Sequence, residues 1–129
     1  MSVIMPVQVG GSAAGWTLVD FIELNAVTAA AAGGVATAQF AQLDTSELWL
    51  VDHAVVSCTS STATSVRWYR DSVDPRRLLD GSNSGNFDVA DWPQSLQVQP
   101  GASLLVQWSG ASAGAIGTCT LQARRLRRL

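Results

Sequence analysis

The sequence predicts an all-β domain, either a β-sandwich or a jelly roll, with an extended N-terminal arm. Short segments in which apolar and polar residues alternate recur along the chain, and turn pairs such as Pro100-Gly101 separate several of them. Of the 129 residues, 47% are hydrophobic and 14% are charged, which excludes a disordered chain. This length suits one domain with its own hydrophobic core.

The chain divides into three predicted parts. Residues 1–14 contain few anchoring side chains and are expected to form the arm. Residues 15–124 contain the strand signals and form the sandwich domain. Residues 125–129 are predicted to be a basic C-terminal tail.

Three strands are predicted in the first half of the chain. Residues 16–24 and 35–43 favour strands, and Gly33-Gly34 would stop any helix between them. We therefore expect two strands joined through these glycines. Residues 47–57 are apolar on both faces, which is typical of a central strand that is covered on each side.

The second half shows clearer alternation. Residues 64–69 and 118–123 each alternate as half-buried strands do, and residues 103–109 follow the same period. The turn at Pro100-Gly101 predicts a hairpin between residues 103–109 and the strand that precedes the turn. Residues 80–93 are rich in Gly, Ser, Asn and Asp and are expected to form a long, functional loop.

The sequence predicts no enzyme. His53 is the single histidine and lies in an apolar strand, so we expect it to be packed or at an interface. The chain has no GxSxG, P-loop or GxGxxG motif. Its two glutamates, Glu23 and Glu47, have no visible partner, and a paired-carboxylate site would need distant aspartates.

No metal or other cofactor is predicted, although one calcium-loop alternative exists. The oxygen-bearing residues and the glycine of that template fall at Asp80, Ser82, Ser84, Gly85 and Asp91. Serines at two ligand positions and Asp in place of the final Glu favour a plain surface loop.

The two cysteines, Cys58 and Cys119, do not form a CxxC pair, so no zinc or redox motif is indicated. They could form one long-range disulfide. We expect two free buried thiols instead, as in a protein made in a reducing cytoplasm.

The charge pattern gives little attraction to nucleic acid or membrane. The net charge is -2, and no apolar run is long enough to span a bilayer. The one dense basic cluster consists of Arg124, Arg125, Arg127 and Arg128. It could contact an acidic partner surface, or it could be a solvated, frayed end. No aromatic platform lies within it, so nucleic acid is disfavoured.

Residues 47–123 resemble small virion proteins of tailed phages that infect actinobacteria. The resemblance rests on four runs of sequence: Leu48-Trp49-Leu50-Val51-Asp52, Leu79-Asp80-Gly81-Ser82, Gly85-Asn86-Phe87-Asp88-Val89-Ala90-Asp91 and Val98-Gln99-Pro100-Gly101-Ala102-Ser103-Leu104-Leu105-Val106-Gln107-Trp108-Ser109-Gly110. It implies a β-sandwich or jelly roll that assembles on capsids or tails, with no catalytic residues. All eight basic residues are Arg, which agrees with a GC-rich host.

The expected function is therefore that of a capsid decoration or minor capsid protein. It would be made in the bacterial cytoplasm and would stabilise the head by binding across copies of the major capsid protein. This chain would itself form a trimer. The expected contact residues are Val3, Ile4, Val7, Trp92, Arg124, Arg125, Arg127 and Arg128. The alternative is a tail or fibre component, or a carbohydrate-binding module with Trp92, Tyr69 and Trp68 as sugar contacts.

Overall fold

The computed structural model describes residues 12–13 and 15–128, and in them the chain forms strands that pack as two antiparallel sheets. A short 3-10 helix, Pro75–Arg77, precedes the sixth strand. The strands are β1 Ser12–Ala13, β2 Trp16–Val27, β3 Val35–Ala41, β4 Glu47–Cys58, β5 Ser65–Arg70, β6 Leu78–Ser82, β7 Asp88–Val98, β8 Ser103–Ser109 and β9 Gly117–Arg128.

The five-stranded large sheet has the order β1-β2-β9-β4-β7, and the four-stranded small sheet has the order β3-β8-β5-β6. From β2 onwards, every connection except that between β5 and β6 crosses from one sheet to the other. Without the short β1, strands β2 to β9 form an eight-stranded double sheet, and one with this alternating path is a jelly roll. The predicted all-β sandwich is confirmed.

The core lies between the two sheets because alternate side chains of each strand point inward. In β8, Leu104, Val106 and Trp108 are buried while the residues between them are half-exposed. Trp68 of β5 lies beside them with 1% of its surface exposed. The strand predicted over residues 103–109 has the observed bounds of β8, since its alternation faces a single core.

The turn at Pro100-Gly101 does not close a hairpin, and this prediction is wrong. The turn connects β7 of the large sheet to β8 of the small sheet, so the two strands do not pair. Gly101 has a φ of 77°, a conformation that favours glycine. Local alternation identifies a buried face, but it does not reveal which strand lies alongside.

Two predicted boundaries are also corrected. The stretch 80–93 is not one long loop, since β6 and β7 occupy most of it and only residues 83–87 lie between them. Residues 125–128 are not a tail, because β9 continues to Arg128 and pairs with β2 on one side and β4 on the other. The predicted arm, residues 1–14, lies outside the described residues except for β1 and its pairing with β2.

The cysteine prediction is confirmed. Cys58 and Cys119 are both free and buried. They lie on neighbouring central strands, and burial raises the pKa of the Cys119 thiol to about 12. Among the described residues, no helix is long and apolar enough to cross a membrane.

Candidate binding face on the large sheet

The outer face of the large sheet carries exposed apolar side chains. In β2, Ile22 and Leu24 pack against the core, so Phe21, Glu23 and Val27 point to the opposite side. The side chain of Phe21 is 75% exposed and that of Val27 is 61% exposed. Apolar groups in this position lose no water when the chain folds alone, and they remain available for burial against a partner.

The same face continues across the sheet to its far edge. Val55 of β4 lies directly opposite Val89 of β7, and both project from the outer side. They are 39% and 53% exposed, respectively. On the other side of β4, Thr120 of β9 pairs with Val55, so its side chain lies on the same outer face.

The outer face of the small sheet is different in character. The small-sheet strands expose fewer large apolar side chains, namely Val35 at 39%, Leu78 at 47% and Leu79 at 37%. Two pairs of polar side chains bond to one another across the strands. Gln107 donates to Thr37 at 3.1 Å, and Gln39 donates to Ser103 at 3.0 Å. The two outer faces of the sandwich therefore have unequal capacity to bury apolar surface against another molecule.

A β-bulge interrupts the pairing of β4 between Val51 and His53. The bulge places an acidic residue, Asp52, next to His53 on the outer face. The Nδ1 atom of His53 lies 2.6 Å from the Oδ1 atom of Asp91 on β7. No serine or cysteine hydrogen-bonds to this imidazole in the described part of the chain, and the absence of an enzymatic function stays a prediction.

Asp52 is held in a fixed position by two neighbours. The guanidinium of Arg124 donates to both of its carboxylate oxygens at 3.0 Å, and Ser95 donates to one of them at 2.5 Å. Arg124 also donates to the Ser95 hydroxyl at 2.8 Å. A bidentate pair of this kind has fixed geometry, so these three side chains form a rigid ridge across β4, β7 and β9.

An open pocket of about 330 Å³ lies beside this ridge. It is formed by residues of β2, β9 and the bulge of β4, namely Phe21, Ile22, Glu23, Asp52, Gln122 and Ala123. Ile22 and Ala123 turn their side chains to the core. The groups that face the pocket are therefore the Phe21 ring, the two carboxylates of Glu23 and Asp52, and the Gln122 amide. The pocket thus combines an apolar surface with hydrogen-bonding groups.

The remaining arginines of β9 also have partners within the chain. Arg125 donates to both carboxylate oxygens of Asp20 at 2.8 and 2.7 Å, and this hydrogen bonding raises the pKa of its guanidinium. Arg127 donates to Glu47 at 2.7 Å, and the Arg128 guanidinium lies 4.6 Å from the centre of the Trp16 ring.

These contacts correct the predictions made for the basic cluster. Arg124, Arg125, Arg127 and Arg128 are neither a frayed end nor a free patch for an acidic partner. They are strand residues whose charges are matched by acidic or aromatic side chains on adjacent strands. The sequence could not reveal this because each acidic partner lies more than 70 positions away in the chain.

Trp92, the predicted anchor for a partner, is also placed differently. It is in β7 and not in a loop, and it is 9% exposed. Its ring meets that of Trp68 edge to face, with the centroids 5.3 Å apart. Tyr69 is buried as well, so the sugar contacts predicted at Trp92, Tyr69 and Trp68 are wrong.

The calcium-loop alternative is not supported by the geometry. Asp80 accepts a hydrogen bond from Trp92, while Asp91 is bonded to His53 on the outer face of the other sheet. Ser82 donates to Asp88, and this bond lowers the pKa of the Asp88 carboxyl. Within residues 12–13 and 15–128, no three His, Cys, Asp or Glu side chains come together as metal ligands.

Sequence reasoning missed the exposed apolar residues of the large sheet. A signal is present for Phe21 of β2, because an apolar residue on the polar side of an alternating strand is either covered or available to a partner. The predicted contact residues Val3, Ile4 and Val7 lie outside the described residues, and their role stays a prediction.

No protein-family model and no curated protein matches the chain. Among solved structures, a Bacillus endospore appendage from a family of disulfide-linked pili is 15% identical, with 98% of this chain and 100% of that chain covered and a TM-score of 0.49. The CBM36-1 domain of a multidomain xylanase from the hindgut metagenome of Trinervitermes trinervoides is 9% identical, with 84% and 98% covered and a TM-score of 0.40.

A third similar structure is the CBM22-1 xylan-binding domain from Paenibacillus barcinonensis. It is 13% identical, with 92% of this chain and 90% of that domain covered and a TM-score of 0.27. At such identities and TM-scores these likenesses concern the fold alone, and function has to be argued from the residues of this chain.

Proposed function

We propose that this protein is a non-enzymatic structural component of a virion and that it binds other virion subunits through the outer face of its large sheet. The observation that carries the proposal is the contrast between the two outer faces. The large sheet exposes Val27, Val55 and Val89, while the small sheet exposes fewer large apolar side chains and presents polar side chains that bond to one another. The virion setting comes from the resemblance of residues 47–123 to phage virion proteins.

The mechanism is burial of surface. Each square ångström of apolar area removed from water contributes about 25 cal/mol. A stable contact of ordinary size covers about 800 Å² on each partner. The ridge formed by Asp52, Ser95 and Arg124 is already fixed before binding, so it costs little ordering entropy when a partner docks.

The finer proposal is that of a capsid decoration or minor capsid protein on the outer surface of the head. The partner is then the major capsid protein, and two further copies of this chain complete a trimer on a three-fold position. In this arrangement the arm residues Val3, Ile4 and Val7 reach neighbouring subunits. A tail or fibre position uses the same face against a different partner.

The test uses the full chain and capsids of the same phage that lack it. We expect saturable binding, and we expect Val55→Asp and Val89→Asp to weaken it by at least about tenfold because each places a charge in an apolar contact. The matched control is Thr37→Asp on the outer face of the small sheet, which should bind normally. Equal binding by all variants would remove the large sheet from the proposal, and no binding by the wild type would remove the capsid.

A further inference from the structure

The pocket on the outer face of the large sheet contains hydrogen-bonding groups that the fold leaves unused. The Glu23 carboxylate and the Gln122 amide make no hydrogen bond or ion pair with any described residue. They lie directly opposite each other on β2 and β9. Together they offer two acceptor oxygens from the carboxylate, and one acceptor and one NH₂ donor from the amide.

Phe21 forms an apolar wall of the same pocket. Its ring is 75% exposed, although an aromatic side chain gains more free energy from burial than almost any other. It lies two residues from Glu23 on the same side of β2, about 7 Å along the strand. A flat molecule that covers the ring can therefore also reach the carboxylate and the amide.

The opposite wall of the pocket is formed by Asp52, whose charge is neutralised by an ion pair with Arg124. Asp52 is bonded to both Arg124 and Ser95, so its negative charge is matched and its carboxylate cannot rotate freely. Arg124 is also the residue that pairs with Phe21 across β2 and β9. Any group that lies on the Phe21 ring is consequently close to a fixed guanidinium.

These features discriminate between classes of ligand. A cation could pair with Glu23, because the charge of Arg124 is already matched by Asp52. A cation that only donates hydrogen bonds, however, leaves the NH₂ donor of Gln122 without a partner. An anion would be repelled by Glu23. A neutral ring that has an apolar face and several hydroxyl groups satisfies all three side chains, because hydroxyls both donate and accept.

We propose that this pocket binds a neutral saccharide, with one sugar ring lying on Phe21 and its hydroxyl groups bonded to Glu23 and Gln122. A volume of about 330 Å³ accommodates one or two rings, and the open shape suits an end or a branch of a longer glycan. The inference does not depend on the virion role. It moves the sugar contacts from the buried Trp92, Tyr69 and Trp68 to an exposed site.

The experiment is a ¹⁵N-resolved NMR titration of the full chain. The probes are glucose, galactose, mannose, xylose and N-acetylglucosamine, together with their β1,4-linked disaccharides, each raised to tens of millimolar. We expect at least one probe to shift the amide signals of residues 21–23 and 122–123 in a saturable manner. The signals of the small sheet serve as an internal reference and should stay in place.

Three variants decide whether the pocket is responsible. Phe21→Ala and Gln122→Ala should each weaken the binding constant by about tenfold or more, since one removes the stacking surface and the other a paired amide. Thr37→Ala on the small sheet is the control and should bind as the wild type does. All three positions are exposed, and the same spectra report whether each variant is folded.

Two outcomes would overturn the proposal. In the first, no probe shifts the signals of the pocket at any concentration tested. In the second, shifts occur but persist unchanged in Phe21→Ala and Gln122→Ala. Neither result bears on capsid binding, which is measured separately with the Val55 and Val89 variants.

Discussion

The indole nitrogen of Trp92 donates a hydrogen bond of 2.7 Å to the carboxylate of Asp80. Trp92 lies on β7 and Asp80 on β6, and each strand forms an edge of its sheet. The bond therefore joins the two sheets on the side where the sandwich would otherwise be open. The edge-to-face contact between Trp92 and Trp68 continues this connection into the core.

Trp92→Phe should destabilise the fold while keeping most of the ring packing. The substitution removes the N–H donor and leaves the Asp80 carboxylate without this partner, a loss of about 1–3 kcal/mol. Asp80→Asn retains an acceptor and should cost less. Urea unfolding followed by fluorescence measures both free energies, and a Trp92→Phe variant as stable as the wild type would contradict the bridging role.

A second prediction concerns the charges at the end of β9. Glu47 has a side chain that is only 8% exposed, and it lies 3.6 Å from Arg125 and 2.7 Å from Arg127. Arg125→Met leaves Asp20 unpaired and Glu47 with one cation fewer. We expect a clear loss of stability that is smaller than for a fully buried pair, because the Arg125 side chain is 31% exposed.

The matched control for this experiment is Arg76→Met. Arg76 is paired with Asp74 at 3.4 Å, but its side chain is 90% exposed. Exposed pairs of this kind contribute about 0–1 kcal/mol. If Arg125→Met and Arg76→Met lower the free energy of unfolding by the same small amount, the arginines of β9 do not stabilise the sheet.

The third prediction concerns Gly117, which packs against the ring of Trp108. A Cβ atom on Gly117 would lie 2.7 Å from two carbon atoms of the Trp108 indole, which is itself fully buried. Gly117→Ala should therefore cost about 1–3 kcal/mol through overpacking. In Gly81→Ala the nearest atoms are the Arg67 Cγ at 3.2 Å and the Val66 backbone oxygen at 3.3 Å, both farther away than the indole carbons are from Gly117. This control should lose much less stability in the same assay.

The contrast between β8 and β9 shows what the sequence could and could not predict. Trp108 alternates with polar neighbours and meets one core, so local pattern was sufficient to place its strand and its buried face. Arg125 appeared as part of a charged tail because its partners, Asp20 and Glu47, come from distant segments. Register between strands decides such pairings, and a single sequence does not contain it.

The exposed and buried residues of the candidate site could not be predicted from the sequence for the same reason. The Gly, Ser, Asn and Asp residues around Trp92 predict a loop, yet its ring packs inside the sandwich. Val89 falls in the stretch that the sequence predicts as a loop, and Val55 in a strand predicted to be covered on each side, so the sequence does not predict that the two side chains lie exposed beside each other. Whether an apolar face is covered is a tertiary property, and the pocket beside Phe21 is of that kind as well.

The buried thiol of Cys119 gives the fold a defined dependence on alkaline pH. Burial raises its pKa from 9.0 to about 12, so the folded state keeps the proton over a range in which the unfolded chain releases it. The contribution of this thiol is fully present below pH 9.0 and is lost as the pH rises towards 12. Over that interval the slope is at most about 1.4 kcal/mol per pH unit.

Cys119→Ala should therefore reduce the loss of stability between pH 9 and 11, although the variant is less stable at neutral pH because of the cavity it leaves. Urea unfolding at a series of pH values measures this difference in slope. A thiol reagent such as DTNB provides an independent check, because a thiolate is needed for reaction. Native protein should react slowly at Cys119 and rapidly once unfolded. Parallel pH profiles for wild type and variant, with fast labelling of the native state, would show that Cys119 is not protected by burial.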